Sequence, residues 1–597
     1  DPGVERRPPG GPPPGQGAAG GVFRTGSQSH FYMETQACRV TPLDGDRFEV
    51  LLSDQDPNFS ASVLASALGV PMSHVACRAA CAGGAFGGKL TRQCLLASAC
   101  AVAAQWRQQP VRAQNDRMDD MQMIVGRESI SFAYDVTFDQ SGKVDTMTMG
   151  MDFDTGWYYG DCAGDLDAGI IFSDNCFKYN SYKVSTNVIT TDTPHATSQR
   201  APGCLQSLVA SAVVMEHVAK SVGRSVEDVQ HLNLYKEGDT TPFGDVIGRD
   251  GFNFTVPQMW DQLMKDCGFA ERQSCVESFN AANKWTKKGI ALTPVKYGMG
   301  TSVYSSGALV SVYGDGSVLL TTGGCEVGQG LNTKVALCAA DTLGVPLGRI
   351  SVAPTETSKI PNNTCTGGSG TSESSAEAVV LACQQILERL APYTLQGMAW
   401  EAAVGQAIKD GVSLMAASWH KQKKTQNANV YATYGVSASE VMLDVLTGEV
   451  RVERVDVLMD LGRQLDAAVD LGQLQGGFVM ALGYALTEQL RADAQGTQLC
   501  LGTWGYKIPS AYDIPVRFNV SLLKDSPNPV GIKGSKASAE PVMGLVASTY
   551  LAVKQAVYAA RRDGGDDAWF MLDMPLTPFQ VRRNCGVADA RLVVPAS

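Results

Sequence analysis

The chain has 597 residues, 44% of them hydrophobic and 18% charged, enough to bury a large core without disulfide or metal staples. Its 49 basic and 60 acidic residues leave a net charge of −11, which argues against a surface that wraps nucleic acid. No apolar run approaches the roughly 20 residues a membrane helix needs, so no membrane span is expected.

Residues 1–22 contain six Pro and seven Gly and almost no apolar side chains, and this segment is expected to be disordered. It lacks the apolar stretch of a secretory signal, and a start at Asp rather than Met is what a fragment or processed product would show. Beyond it the pattern alternates between strand and helix. Residues 48–53 read as a strand, 60–70 as a helix stopped by Pro71, and 91–106 as an apolar helix. Alternating apolar positions across 130–153 predict a hairpin turning at 140–143. Helices are expected over 205–222 and 255–269. A second hairpin follows at 308–322, then helices at 331–343 and 374–390, the latter with a capping box from Ser374 and Glu377. A third hairpin spans 436–461, and helices are expected over 476–486 and 538–562. The fold class is therefore α+β, in at least two mixed units, with a boundary between 284 and 300.

The 16 Cys are dispersed and form no C-x-x-C pair, which argues against zinc knuckles and clustered iron–sulfur ligands. Dispersed Cys in a large chain reads as buried free thiol in the reducing cytoplasm. None of the six His falls in an H-E-x-x-H pattern.

Glycine is concentrated in four clusters: GGAFGGK at 83–89, GGCEVGQG at 323–330, TGGSGT at 366–371 and GIKGSK at 531–536. Such loops let backbone N–H groups approach a ligand, and a helix starting just afterwards adds a positive dipole end. Any one cluster could be a tight turn. Four together suggest a large anionic cofactor held mainly by backbone. None has the spacing of a phosphate-binding P-loop, a dinucleotide fingerprint or a serine-hydrolase elbow. Glu540, in SKASAEP at 535–541, is the most informative acid. Next to a helix start it could serve the dipole, or, buried in a cleft, act as a general base.

Nine elements in order now define a resemblance: GSQSHFYMET at 26–35, 83–89, DNCFK at 174–178, RAPG at 200–203, 324–334, 366–372, DLGQLQGG at 470–477, YKIP at 506–509 and 535–541. The chain resembles the molybdenum-cofactor part of the xanthine dehydrogenase and aldehyde oxidase family, from about residue 22 to about 586. The resemblance implies two large mixed subdomains, 23–290 and 291–597, with molybdenum-molybdopterin between them. It also implies that the pterin dithiolene, and no side chain, holds the metal. In the family a glutamate acts as base, water supplies the oxygen added to an electrophilic carbon, and two electrons are left on the metal. By motif position Glu540 is that base. Gln28, Phe86, Arg200 and Gly368 would lie against the metal end, and Gln329 would hold the pterin. The lesser alternatives are a strand-edge amide for Gln28 and a surface ion pair for Arg200. The [2Fe–2S] and FAD groups of complete members would sit in an upstream segment or a partner, and a homodimer is implied.

Departures from the family pattern point to the substrate. Xanthine-oxidising members carry Glu after Gly-Gly-Lys and Arg six residues before the DNC motif, where this chain has Leu90 and Ala168. Pro202 stands where they have a stacking Phe. An apolar pocket of Leu90, Ala168 and Pro202 suits a small-molecule aldehyde and resembles arthropod-type aldehyde oxidases. A Thr301-Ser302 pair is expected near the substrate. Xanthine or purine hydroxylation, and a truncated non-catalytic relative, are the alternatives. Ala539 and Val542, where the family has Gly and commonly Pro, could displace Glu540.

Overall fold

The computed structural model describes residues 16–249, 252–300, 305–421 and 429–587. Four sheets carry the chain, each paired with helices. Strand Gln16–Thr25 pairs antiparallel with Ser129–Asp139, which forms the expected hairpin with Val144–Asp154; Ser181–Ile189 then adds in parallel. On Ser129–Asp139 the alternate residues Ile130, Phe132, Tyr134, Val136 and Phe138 are buried, because side chains along a strand alternate between faces. Residues 16–22, expected to be disordered, thus lie in a strand: their own apolarity is low, but pairing with a buried neighbour orders them.

A second sheet runs in the order Thr355–Glu356, Val75–Ala79, Arg47–Leu52, Ala37–Leu43, Val111–Gln114. It packs under the helices Pro57–Leu68 and Gln93–Arg107 in a small core of its own. The third sheet contains the predicted hairpin of Ser305–Val312 and Val318–Thr322, and is covered by Leu331–Leu343 and Thr371–Thr394. The fourth contains the third predicted hairpin, Asn429–Asp444 with Val450–Asp460, and the long strand Thr286–Gly300. The first and fourth sheets share the largest core with Cys204–Val222, Ala467–Leu486 and Ala547–Asp563.

The boundary expected at 290/291 cuts through the strand Thr286–Gly300. The helices Val256–Asp266 and Phe269–Ala282 already pack on the fourth sheet, so its unit takes in residues from Val256 onward. Three helix readings also change. Thr371–Thr394 starts three residues before Ser374 with no side-chain cap, so Ser374 and Glu377 are inside it and form no capping box. Ala467–Leu486 starts at an Asp466 cap, whose carboxylate accepts from the Val469 N–H at 2.9 Å. The stretch 538–562 divides into a 3-10 turn, Pro541–Val546, and the helix Ala547–Asp563, leaving Glu540 just before the turn. Together these 23 residues are long and apolar enough to cross a membrane, but they lie in the core, 94% of the apolar window being buried.

Candidate active site

All four glycine clusters converge on one cavity of about 1190 Å³. It is lined from both halves of the chain, from Ser29 to Glu540. Most amides of these clusters are committed within the loops. Gln55 Oε1 accepts from the N–H groups of Gly87 and Lys89, and the Glu326 carboxylate accepts from those of Gly328, Gly330 and Asn332. Among the described residues, no partner takes the amides of Gly84, Ala85, Phe86, Gly368, Ser369, Ser538, Ala539 and Glu540, all of which line the cavity. These three runs of uncommitted donors are what an anionic, heteroatom-rich cofactor requires. Gly87 is indispensable to this shape: at φ +110° a Cβ would sit 2.0 Å from the Ser198 carbonyl oxygen.

Glu540 is buried at the cavity wall, and three donors converge on its two oxygens. The Ala201 N–H reaches Oε1 at 3.0 Å, while the hydroxyls of Tyr297 and Ser369 reach Oε2 at 3.0 and 2.9 Å. Ala201 and Ser369 have φ of +56° and +58°, a left-handed backbone that costs of order 1 kcal/mol or more at non-glycine residues. That strain aims both donors at one carboxylate. Burial pushes the Tyr297 hydroxyl well above the usual phenol range, so it stays a donor. Ala539 and Val542 leave Glu540 with its full set of bonds.

Arg200 ties the two halves together. Its backbone N–H donates to the Phe86 carbonyl at 2.9 Å, and its guanidinium donates to the Ala539 carbonyl and to the carbonyl and side chain of Gln473. Burial lowers it to about 10, which leaves it cationic at neutral pH. It is therefore no surface ion pair. The helix Ala467–Leu486 can approach it only because residue 477 is glycine: a Cβ there would lie 2.6 Å from Val542 and 2.8 Å from the guanidinium.

Phe86, Arg200, Gly368 and Gln329 all line the cavity, as do Leu90, Ala168 and Pro202. Two assignments change. Gln28 is fully buried behind the wall, donating to the Met480 carbonyl and Glu488 at 3.1 Å and accepting from Arg127 at 3.3 Å; its amide does not reach the cavity. Buried Arg127 and Glu488 bind it more completely than an open site could. Gln329 folds its amide onto its own loop, bonding the Val327 N–H at 2.7 Å and the Cys325 carbonyl at 2.8 Å, so it shapes the loop rather than offering a free amide. Thr301-Ser302 lies outside the described residues.

Sequence reasoning missed Tyr297, Ser369 and His30. Ser369 sits inside the TGGSGT cluster and was open to that reading. Tyr297 lies mid-strand with no local signal. His30 lines the cavity with Nε2–H donating to the Ser198 carbonyl at 3.0 Å and Nδ1 without a partner. Burial lowers it to about 4, against about 6.5 in an unfolded chain. Between those values the unfolded state binds more protons, so stability is expected to drop as the pH is lowered from about 6.5 to about 4, by about 3 kcal/mol at most. Unfolding midpoints measured from pH 7 to 4 check this. An unchanged slope in His30→Asn would refute the assignment.

A cradle of glycine loops with uncommitted amides around a held carboxylate defines a binding site for a large anionic group, and comparison specifies the class of protein. Residues 18–234 and 262–515 each match the molybdopterin cofactor-binding domain. The xanthine dehydrogenase of Drosophila subobscura is 36% identical over 579 residues, covering 95% of this chain and 43% of that protein. The xanthine dehydrogenase/oxidase of Gallus gallus is also 36% identical, over 580 residues, 95% of this chain and 42% of that protein. The quinoline 2-oxidoreductase of Pseudomonas putida 86 has the same fold, with a TM-score of 0.84 at 20% identity over 95% of this chain and 76% of that one. The chain belongs to the xanthine dehydrogenase family of molybdenum hydroxylases and contains molybdopterin cofactor-binding domains. It spans about 43% of the length of the Drosophila relative. The relatives carry the xanthine dehydrogenase name, not the aldehyde oxidase name that Leu90 and Ala168 led us to expect.

Proposed function

We propose that this chain is the catalytic part of an aldehyde-oxidising molybdenum hydroxylase, which converts an aldehyde and water to a carboxylic acid, two electrons and two protons. The observation that carries it is the apolar wall of Leu90, Ala168 and Pro202 in the cavity that holds Glu540. A purine would bring N–H and C=O groups to that wall, and each left unpaired costs about 1–3 kcal/mol. An aldehyde's hydrocarbon end needs no such partner.

Bound molybdopterin supplies a metal that activates water and takes up two electrons. The uncommitted amides of Gly84–Phe86, Gly368–Ser369 and Ser538–Glu540 would hold it. Glu540 takes the proton released as the water oxygen attacks the aldehyde carbon. Tyr297, Ser369 and the Ala201 N–H fix the carboxylate, so no reorientation is needed at that step. Arg200 keeps the Ala539–Glu540 peptide against the wall. The electrons would leave through [2Fe–2S] and FAD groups in an upstream segment or a partner. A cytoplasmic location is part of the same proposal, supported by free cysteines throughout the described residues, and so is a homodimer, which rests on the family resemblance alone.

Purine hydroxylation is the second reading, favoured by the names of the relatives. Turnover with an artificial electron acceptor separates the two. Aromatic aldehydes are expected to exceed xanthine in kcat/KM by about 30-fold to 10⁴-fold, since two lost polar partners at ~1–3 kcal/mol each amount to ~2–6 kcal/mol. Equal or better turnover of xanthine would reverse the assignment.

A further inference from the structure

Beside the cavity, and unused by the proposed reaction, lies a group of three ligand-type side chains. One carboxylate oxygen each of Glu128 and Asp165 and the Cys162 sulfur lie within 4.8 Å of one another, and all three residues are buried. Glu128 is fully buried, yet neither of its oxygens has a hydrogen-bond donor, nor does Asp165 Oδ2. Asp165 Oδ1 accepts from the Ser198 hydroxyl at 2.7 Å. The neighbouring cation, Arg127, is committed elsewhere: it donates to the carbonyls of Arg200 and Ala201 and to the side chains of Gln28 and Gln206. Two carboxylates aimed at one point in the interior without a cation are too costly to persist ionised.

We propose that Glu128, Cys162 and Asp165 form a structural site for a divalent cation of zinc-like, borderline-soft character. One thiolate and two carboxylates make a three-ligand set suited to such an ion. Around a tetrahedral ion the ligand atoms would stand roughly 3.3–3.6 Å apart, so small side-chain adjustments close the site. The ion has an entrance, because Asp165 also lines the large cavity. Once bound, it would join the start of strand Ser129–Asp139 to the helix Ala163–Phe172, which carries Ala168 on the substrate wall.

The test titrates the full chain, stripped with chelator, with Co²⁺ and then Zn²⁺ in equilibrium dialysis with absorption spectra. Exposed Cys81 and Cys275 are first replaced by Ser to remove surface thiols. The expected result is one Co²⁺ per chain, with a thiolate-to-cobalt charge-transfer band that Zn²⁺ displaces and Cys162→Ser abolishes. Glu128→Gln should weaken binding at least tenfold, and Zn²⁺ should raise the melting temperature of the parent chain alone. A band that survives Cys162→Ser, or no binding above that of Glu128→Gln/Asp165→Asn, overturns the site and leaves a proton-sharing pair in its place. Should Cys162→Ser fail to fold, full affinity in folded Glu128→Gln overturns it equally. Aldehyde turnover plays no part in these readouts, so the site and the proposed reaction stand or fall separately.

Discussion

Glu540→Gln is expected to lower turnover by about 10²–10⁴-fold while leaving the fold and the molybdopterin content intact. The replacement keeps the side chain's size. Its carbonyl oxygen can still accept from the Ala201 N–H at the Oε1 position, and the hydroxyls of Tyr297 and Ser369 can rotate to accept from the new amide. What the amide cannot do is take up a proton at neutral pH. Loss of activity without loss of cofactor therefore isolates the base from the cradle. The check is kcat with an artificial electron acceptor, alongside molybdenum content and pterin fluorescence of the same preparation. Turnover within tenfold of the parent would exclude Glu540 as the base. A variant that loses its pterin would show instead that the carboxylate serves the cradle.

The second large effect is expected far from the cavity. Lys554 is fully buried, and its ammonium meets Glu216 Oε2 at 2.5 Å. The same carboxylate accepts from the Tyr558 hydroxyl and the Trp569 indole N–H, each at 3.0 Å. Burial lowers the Lys554 ammonium below its usual range, and the charge and hydrogen bond of Glu216 oppose that shift. Glu216→Leu should therefore destabilise the chain by about 3–5 kcal/mol, because a buried charge is left without its partner. Replacing both, as Glu216→Leu with Lys554→Met, should recover part of that loss, since no unpaired charge remains but the Tyr558 hydroxyl and the Trp569 N–H lose their acceptor. Thermal unfolding midpoints of the two single variants and the double variant measure this. A Glu216→Leu variant that melts with the parent would remove the pair from any structural role.

This pair also bears on the site. Glu216 lies on Cys204–Val222, whose preceding loop carries Ala201, and Lys554 lies on Ala547–Asp563, which follows Glu540 through the 3-10 turn. The ion pair clamps two helices whose other ends present a donor and its acceptor. Packing energy in the core thus holds a 3.0 Å hydrogen bond in the cavity.

Several features were legible from local sequence for local reasons. The three hairpins are read from two-residue alternation and from turn residues, and both signals sit within a dozen positions. The helix Leu331–Leu343 has the expected limits because glycines bound it on both sides. Leu90, Ala168, Pro202, Phe86, Arg200 and Gly368, singled out from motif order, all line the cavity. Local signals misplaced the start of Thr371–Thr394, where Gly370 and not a polar cap precedes the helix. They also left residues 16–22 without structure, because the partner that orders them is more than a hundred positions away.

Sequence by itself determined the family and the cofactor class and singled out Glu540 as the candidate base, because those readings reside in short motifs whose order survives without coordinates. Tertiary structure alone decided what each polar group does. Gln28 turns from a cofactor contact into a partner of Arg127 and Glu488, and Gln329 turns onto its own loop. Tyr297, Ser369 and Ala201 become the donors that hold Glu540, although 72 or more residues separate each from the next. A hydrogen bond depends on distances of about 3 Å and on which groups are shut away from water. Those are set by how sheets and helices pack across the whole chain, and no stretch of sequence contains them.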